Sequence, residues 1–313
     1  MIQTSMVTRV RPSKTKILSA FMVVYVLWGS TYLAIRYVVE VLPPFLTAGV
    51  RFLVAGTALY GWARWRGAAA PVRLQWKDAA VIGGLLFVGG NGGVMWAQQQ
   101  VPSGVAALLV ATVPMWMALI EWQRGGGRPS VGVAAGLLLG LLGVALLVGP
   151  SLEGGVRVVA PVGAVVLLVA ALLWACGSLY ARRAALPDSA LLSAAMQMLC
   201  GGVLLSLIGC ANGELPRLLS AEPSWRAWTG LAYLIIFGAL IGFSAYAWLL
   251  RVVSVASVST YAYVNPVVAV ILGCLVVREP VTWNILAAAG MIVAGVALII
   301  STRAGVMFAR QRA

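Results

Sequence analysis

The sequence predicts an all-α, multi-pass membrane protein, and two observations lead to this fold class. Of its 313 residues, 62% are hydrophobic and only 10% are charged, which is more apolar side chain than a soluble core of this size could bury. The apolar residues also form continuous runs of about twenty residues or more, long enough for a helix to cross a ~30 Å hydrocarbon layer. A β-barrel would instead show short segments of alternating hydrophobicity.

Ten apolar runs are predicted to span the membrane. The first resembles a signal peptide, but it is too long for a typical signal and no Ala-x-Ala site follows it, so an uncleaved span is expected. The connections between runs are short, which makes neighbouring spans antiparallel and adjacent. The predicted spans are 17–38, 45–65, 79–99, 103–122, 130–148, 159–180, 189–211, 227–250, 255–277 and 283–302.

The net charge of +14 would suit nucleic-acid binding, but the positions of the charges indicate membrane topology instead. Of the 22 Lys and Arg residues, sixteen fall on the side of the N-terminus, five fall on the other side, and Arg51 lies within a span. This positive-inside pattern predicts that both termini are cytoplasmic. No nucleic-acid partner is expected.

The chain reads as two copies of one five-span unit. Residues 27–36 match residues 173–182 at an offset of 146, and Gly56 pairs with Gly202 at the same offset. Further on the offset becomes 152, as for Gly90 with Gly242 and Pro114 with Pro266. Two copies with an odd number of spans insert upside down relative to each other, as in many secondary transporters. The predicted organisation is a basic cytoplasmic tail 1–16, repeats 17–148 and 159–303, and a cytoplasmic tail 304–313.

Arg51 is the one charged residue deep in a predicted span, and Gln197 occupies its place in the second repeat. A charge in a bilayer costs a few kcal/mol or more, so it usually faces a cavity or a partner. Two interpretations stay open for Arg51: a contact with a substrate carboxylate or a gating helix, and a structural bond to helix-end carbonyls.

Pro114 and Pro266 lie near the middle of spans four and nine at equivalent repeat positions. A proline removes one backbone N–H and obstructs the carbonyl four residues earlier, which membrane helices tolerate where neighbours satisfy the freed group. Their symmetric placement favours paired hinges over static kinks.

Mid-span aromatic and polar residues are candidates for lining a substrate cavity. Trp28 and Trp174 occupy matching repeat positions, one expected on each side of the midplane, and could act as gates. Aromatic residues near span ends are more typical of the interfacial belt and are set aside. The candidates are Trp28, Thr31, Tyr32, Asn91, Trp96, Trp174, Ser178, Tyr246, Tyr261 and Asn265.

Gly132, Gly136 and Gly140 are spaced by four on span five, and Gly290 and Ala294 show this spacing once on span ten. Small residues at this spacing allow close approach of helices. The interpretations are a dimer face or packing within one subunit, and the second is favoured. Monomer and homodimer both stay open.

Enzymatic chemistry finds little support. The chain has no histidine, and its eight Asp and Glu residues lie at connections or span ends, so no triad, carboxylate pair or metal cluster can be assembled at depth. No enzyme activity, cofactor or metal is expected.

Five stretches are specific in their order and spacing: 28–32, 43–52, 101–107, 111–114 and 263–267. Together they resemble the EamA-type branch of the drug/metabolite transporter superfamily, across about residues 17–303. The resemblance implies ten helices in two inverted repeats, with a central cavity lined mainly by spans one, three, four, six, eight and nine. It also implies export by alternating access of substrates such as amino acids, other metabolites or toxic organic compounds. Relatives often have Gly where this chain has Arg278 before Glu279.

The leading hypothesis is therefore an exporter of small metabolites in the bacterial inner membrane, with neutral or aromatic amino acids as first substrates. A broad drug or metabolite exporter is the alternative within this fold. A passive channel, a carrier of lipids or nucleotide sugars, and a membrane-embedded enzyme remain as other classes.

Overall fold

The computed structural model describes residues 13–125, 130–148, 160–222, 224–253, 255–258 and 260–310, and within these ranges the regular structure is entirely helical. Two short helices, Glu214–Leu219 and Val255–Val258, accompany the long ones. The long helices, in chain order, are α1 Lys14–Val39, α2 Pro44–Trp65, α3 Arg73–Ala97, α4 Ser103–Gln123, α5 Val131–Val148, α6 Pro161–Ala181, α7 Ala190–Ala211, α8 Trp225–Val252, α9 Tyr261–Val277 and α10 Trp283–Arg310.

Eight of these helices in the described ranges are long and apolar enough to cross a membrane. Two of the predicted spans fall outside that group: α2, whose hydropathy is lowered by Arg51, and α9, which has 17 residues. Large apolar side chains such as Leu18, Leu207 and Leu275 are more than 60% exposed on the outside of the bundle, where a bilayer would cover them.

The predicted boundaries need correction at both ends and before α9. The helix α1 begins at Lys14, because the Ser13 hydroxyl accepts a bond from the backbone N–H of Lys16 (3.3 Å) and so caps its first turn. The predicted tail 1–16 therefore ends in helix, and its first twelve residues lie outside the described part. Helix α10 continues to Arg310 through most of the predicted tail 304–313. Span nine, predicted from residue 255, begins at Tyr261 after a separate short helix.

Helix starts follow local sequence signals. The hydroxyls of Ser189 and Ser224 accept bonds from backbone N–H groups in the first turns of α7 and α8, which satisfies donors that have no partner inside the helix. Pro44 and Pro161 occupy the first positions of α2 and α6, where a missing N–H has no cost.

The two candidate hinge prolines differ in their structural effect. Helix α4 is interrupted at Ala111 and Thr112, and Pro114 sits in the first turn of the segment that resumes at Val113. Pro266 instead lies inside α9, which is continuous from Tyr261 to Val277. The two prolines, expected to act equivalently, therefore lie in different backbone settings. Helix α4 is broken beside Pro114, whereas α9 runs through Pro266 without a break.

Helices α3 and α8 each contain a long π-helical segment, at equivalent positions of the predicted repeats. The segments are Gly84–Gly92 in α3 and Leu234–Phe243 in α8. A π-helix is wider than an α-helix, is rare, and is found frequently at functional sites. The sequence pattern did not reveal these segments.

Glycines allow two pairs of helices to approach each other closely. In the α5–α10 pair, a Cβ on Gly136 would lie 2.6 Å from the Gly295 carbonyl, and one on Gly295 would lie 2.6 Å from that of Gly136. The glycine face of α5 is therefore filled by α10 of the same subunit, as favoured from the sequence, and it is not free to form a dimer. Helices α2 and α7 form a similar pair, with Gly56 against the Ala195 carbonyl and Gly202 against that of Gly49.

Candidate functional site

A narrow cavity lies at the centre of the bundle, between helices of the first and second predicted repeats. Measured to the centre of a water-sized sphere it holds about 80 Å³, which is space for several water molecules. Its walls are mainly aromatic and aliphatic, with a few polar groups, as is typical of small-molecule sites. The lining residues are Trp28, Thr31, Tyr32, Ile35, Arg51, Phe52, Phe87, Gly90, Asn91, Val94, Val110, Ala170, Trp174, Gly238, Ala239, Phe243, Tyr261 and Asn265.

An aromatic cluster fills one side of this cavity, with Trp28 at its centre. The Trp28 ring lies 4.9 Å from that of Tyr246 and makes edge contacts with Tyr261 (5.4 Å) and Trp174 (5.8 Å) between centroids. Phe243 adds a further ring at 6.2 Å. These separations fall in the range of favourable aromatic pairs. The two tryptophans, expected as separate gates, therefore meet in one cluster that closes the centre of the molecule.

Each tryptophan is seated on a glycine of the other repeat. A Cβ on Gly90 would lie 2.8 Å from Cε3 of Trp174, and a Cβ on Gly242 would lie 2.6 Å from Nε1 of Trp28. Gly90 and Gly242 are the pair that the 152-residue offset relates, and both lie in the π-helical segments. Any side chain at either glycine would displace an indole ring.

Arg51 is 4% exposed, and it faces the cavity from α2. Its Nε donates to the carbonyl of Leu234 (3.2 Å), the first residue of the π-helical segment in α8, and its guanidinium lies 4.7 Å from the centre of the Phe52 ring. Its Nη1 is buried without a hydrogen-bond partner, and no ion pair with Arg51 is found among the described residues. The Nε of Arg51 is thus held by the backbone of α8, whereas its Nη1 is a hydrogen-bond donor without an acceptor.

Other polar groups near the cavity are bonded to helix backbone. The Thr31 hydroxyl donates to the Trp28 carbonyl (2.6 Å), and the Asn91 amide donates to the Leu86 carbonyl (3.3 Å). With its amide oriented to donate, Asn265 bonds the carbonyls of Tyr261 and Tyr25. Bonds of this kind to backbone carbonyls satisfy polar side chains inside a membrane.

The cavity brings together most of the residues chosen from the sequence. The predicted residues that line it are Trp28, Thr31, Tyr32, Asn91, Trp174, Tyr261, Asn265 and Arg51. The predicted residues that do not line it are Trp96, Ser178, Tyr246, Pro114 and Pro266.

Tyr246 supports the wall by packing its ring against that of Trp28, with the two ring planes tilted by 40°. The Ser178 hydroxyl donates to the Trp174 carbonyl. Sequence reasoning missed Phe52, Phe87 and Phe243, since an apolar residue in an apolar helix carries no signal of which face it occupies.

Three carboxylates at the helix ends accept backbone N–H bonds across the two predicted repeats. Glu214, 5% exposed, accepts bonds from the backbone N–H groups of Phe45 (3.3 Å) and Leu46 (2.7 Å), at the start of α2. Glu279 accepts bonds from the backbone N–H groups of Ser103 (2.7 Å) and Gly104 (3.1 Å), at the start of α4. A carboxylate at a helix N-terminus meets both free donors and the positive end of the helix dipole.

Asp78 is the third of these inter-repeat carboxylates. It accepts the Tyr180 hydroxyl (2.8 Å) and the N–H of Ala185 (2.6 Å), at the connection between α6 and α7. These acids are structural ties and lie away from the cavity lining.

The model of the EamA-like transporter family matches the chain twice, over residues 15–149 and 161–301. The chain belongs to the EamA-like transporter family. The family covers nearly the whole chain, and it places this protein among membrane transporters of the drug/metabolite type.

Similar proteins are also named as membrane transporters or efflux pumps. The "Uncharacterized inner membrane transporter YedA" of Escherichia coli (strain K12) is 40% identical over 282 residues, which cover 90% of this chain and 89% of that protein. The "Probable amino-acid metabolite efflux pump" of the same strain is 29% identical over 167 residues, 52% of each chain. A solved crystal structure shares the fold, with a TM-score of 0.63, 22% identity, and coverage of 91% of this chain and 96% of that one. This EamA-like protein is thus a multi-pass transporter of the inner membrane.

Proposed function

We propose that this EamA-like protein exports small amphipathic metabolites, with neutral or aromatic amino acids as the first substrates. The observation that carries the proposal is the central cavity, which combines aromatic walls with the guanidinium of Arg51, whose buried Nη1 has no hydrogen-bond partner. An apolar side chain suits the rings, and a carboxylate would supply the acceptor that Nη1 lacks. The two interpretations of Arg51 then combine, because Nε serves structure and Nη1 serves the substrate.

The proposed mechanism is alternating access between two inverted five-helix repeats, 17–148 and 159–303, in ten spans with both termini cytoplasmic. The matching positions of the two tryptophans, their glycine seats and the π-helical segments support this symmetry. Opening to either side requires the Trp28–Trp174 cluster to separate, and the break in α4 near Pro114 provides a place for that helix to bend. The protein acts without enzymatic chemistry, as a monomer or homodimer.

The second candidate is a broad drug and metabolite exporter, favoured by the many aromatic side chains that line the cavity. Aromatic faces attract organic cations as well as apolar groups. However, the buried positive charge of Arg51 opposes cationic substrates, and a relative is named as a probable amino-acid metabolite efflux pump. Both points favour amino acids.

Counterflow in proteoliposomes tests the proposal. Vesicles loaded with unlabelled substrate are given the same labelled compound, across a panel of neutral and aromatic amino acids and organic cations. We expect saturable exchange of amino acids. Exchange of organic cations alone would favour the second candidate, and substrate flux without saturation or counterflow would indicate a channel.

Arg51→Gln should raise the KM for an amino acid about tenfold or more, since a charge-assisted hydrogen bond contributes roughly 1.5–3 kcal/mol. Arg51→Lys keeps the charge but loses the planar donor pair, so it should restore only part of the affinity. Folded yield and monodispersity in detergent show whether a substitution impairs folding, so that a loss of substrate binding can be told from a loss of structure. Normal folding with unchanged KM in Arg51→Gln would remove this residue from the site.

A further inference from the structure

A second, larger groove lies at the end of the bundle where α1 and α9 finish and α8 begins. On the measure used for the central cavity it holds about 910 Å³, against about 80 Å³ for that cavity. The two have no lining residue in common, so the groove is a separate feature of the molecule. In the topology proposed above, this end of the bundle lies on the outer side of the membrane.

The wall that α1 contributes to this groove is charged at the mouth and apolar below it. Arg36 and Glu40 lie at the mouth, and Leu33 and Ala34 lie further along the groove. From Ser30 to Glu40, the lining extends about 15 Å along the helix axis at 1.5 Å per residue. The groove therefore runs along α1 from the membrane surface into the hydrocarbon layer.

The walls from α8 and α9 repeat this order. Helix α8 places Trp225 and Arg226 at the mouth and Tyr233 about two turns further along. Helix α9 places Val276 in its last turn and Arg278 just beyond its end. Val276 is 51% exposed, so this wall is open to the outside of the bundle. Charge at the surface with apolar walls beneath matches an amphiphilic ligand.

Hydroxyl groups below the mouth are already bonded within the protein. The Ser30 hydroxyl donates to the Leu27 carbonyl (2.9 Å) and accepts from the Tyr233 hydroxyl (2.6 Å). The Thr229 hydroxyl donates to the Trp225 carbonyl (2.7 Å). Because these groups are satisfied, the lower part of the groove can be covered by hydrocarbon without leaving them unpaired.

At the mouth of the groove, two arginines have no acidic partner. Arg36 pairs with Glu40 (Nε to Oε1, 2.9 Å), and the carboxylate of Glu279 accepts two backbone N–H groups of α4. Among the described residues, Arg226 and Arg278 form no ion pair. The mouth therefore carries a surplus of positive charge that favours an anion.

Aromatic rings hold Arg226 over the groove. Its guanidinium carbon lies 5.9 Å from the centre of the Tyr37 ring and 5.8 Å from that of Trp225. Such contacts attract a cation but supply no oxygen acceptor to its N–H groups. The planar donor set of Arg226 consequently suits a phosphate, which offers the oxygen atoms that the rings lack.

Arg278 reaches the groove from a strained backbone. Its φ of 55° lies in the left-handed region that glycine adopts without steric cost. Strain of this kind is concentrated at ligand clamps and other functional sites, where the rest of the structure maintains it. A guanidinium needed at the mouth of the groove explains an arginine at a position where glycine would fit the backbone better.

We infer that this groove binds an anionic phospholipid, with its phosphate at Arg226 and Arg278 and one acyl chain along Leu33 and Val276. Guanidinium and phosphate form strong, often bidentate hydrogen bonds, and basic pockets between membrane helices recognise anionic head groups. The bound lipid fills the space between α1, α8 and α9 without entering the central cavity. This site does not depend on which substrate the protein exports.

Native mass spectrometry of the delipidated protein tests the inference, with phosphatidylglycerol and phosphatidylcholine of the same acyl chains. We expect one phosphatidylglycerol to bind about tenfold more tightly than phosphatidylcholine, because only its head group carries a net negative charge. Arg226→Gln and Arg278→Gly should each weaken the binding of phosphatidylglycerol about fivefold, through the loss of one charge-assisted contact. Neither variant should change the binding of phosphatidylcholine.

Arg278→Gly is the more informative variant, since it relieves backbone strain and its loss of lipid cannot come from impaired folding. Arg217→Gln is the matched control, because Arg217 is exposed at the same end of the bundle but outside the groove lining. It should leave both affinities unchanged. Equal affinities of the wild type for the two lipids, or wild-type affinity for phosphatidylglycerol in either groove variant, would overturn the inference.

Glycerol 3-phosphate and phenylalanine distinguish a lipid from a free anion. Each carries an anionic group but no acyl chain, so neither should displace phosphatidylglycerol from the wild type at an equal concentration. Displacement by either compound would assign the groove to a small anion and reject the phospholipid.

Discussion

At the scale of single residues, Arg278 shows how one position departs from its local preference. Its backbone has a φ of 55°, in the left-handed region that glycine adopts without steric cost. It follows the last residue of α9, and the N–H of Glu279 closes the helix end on the Gly273 carbonyl (3.0 Å). Glycine is the residue that this helix-end position favours, for the same physical reason.

Arg278→Gly should therefore stabilise the protein. Removing the strain of a left-handed arginine is worth about 1 kcal/mol, so we expect the apparent melting temperature in detergent to rise by a few degrees. Arg278→Ala is the control, because it removes the charge but keeps the Cβ and should give no comparable gain. A gain of equal size in both variants would assign the effect to charge instead of backbone strain.

At the scale of elements, the α5–α10 pair depends on the absence of side chains along its contact. A Cβ on Gly295 would lie 2.6 Å from the Gly136 carbonyl and 2.8 Å from the Gly140 nitrogen. Backbone atoms on both sides leave no flexible group that could yield. By contrast, Gly290 on the same helix has no atom within 4 Å of its Cβ position.

Gly295→Ala and Gly290→Ala thus form a matched pair on α10 with opposite expected signs. Gly295→Ala should destabilise the protein by roughly 1–3 kcal/mol, the usual cost of overpacking. Gly290→Ala should be neutral or stabilising by up to about 1 kcal/mol, through helix propensity alone. Melting temperatures of both variants check this. A loss at position 290 as large as that at position 295 would indicate that the Gly290 face is also covered, for example by a second subunit.

At the scale of the whole molecule, carboxylates near the helix ends hold the two halves together. Glu214 bonds the start of α2, Glu279 the start of α4, and Asp78 the connection between α6 and α7. Each tie joins an acid of one predicted repeat to at least one backbone N–H of the other. A rocking motion between the repeats must either preserve these contacts as pivots or break them.

Glu214→Gln should destabilise the folded protein by roughly 1–2 kcal/mol, because an amide offers one oxygen where the carboxylate bonds two N–H groups. Glu222→Gln is the control, since Glu222 is exposed in the same connection. The melting temperature should fall only for the buried acid. Equal stability of the two variants would show that the tie contributes little in a detergent micelle.

The sequence alone determined the class of the protein and much of its plan. Continuous apolar runs predicted the helices, since crossing a bilayer demands a long helix with every backbone group bonded internally. Matching residues at fixed offsets identified the paired positions of Trp28 and Trp174 and of Gly90 and Gly242. Seven of the ten cavity candidates, together with Arg51, proved to line one site, because polar or mid-span aromatic residues stand out in an apolar helix.

Only the tertiary structure decided which groups meet and which donors stay free. No sequence pattern revealed the π-helical segments, the phenylalanine walls, or the contact of the two tryptophans, because apolar residues on all sides of a helix do not mark the face that packs inward. The same holds for Trp174, whose repeat partner Trp28 is bonded to the backbone while its own N–H is not. That difference depends on which edge of each indole faces the neighbouring helix, and this orientation is set only once the helices are packed.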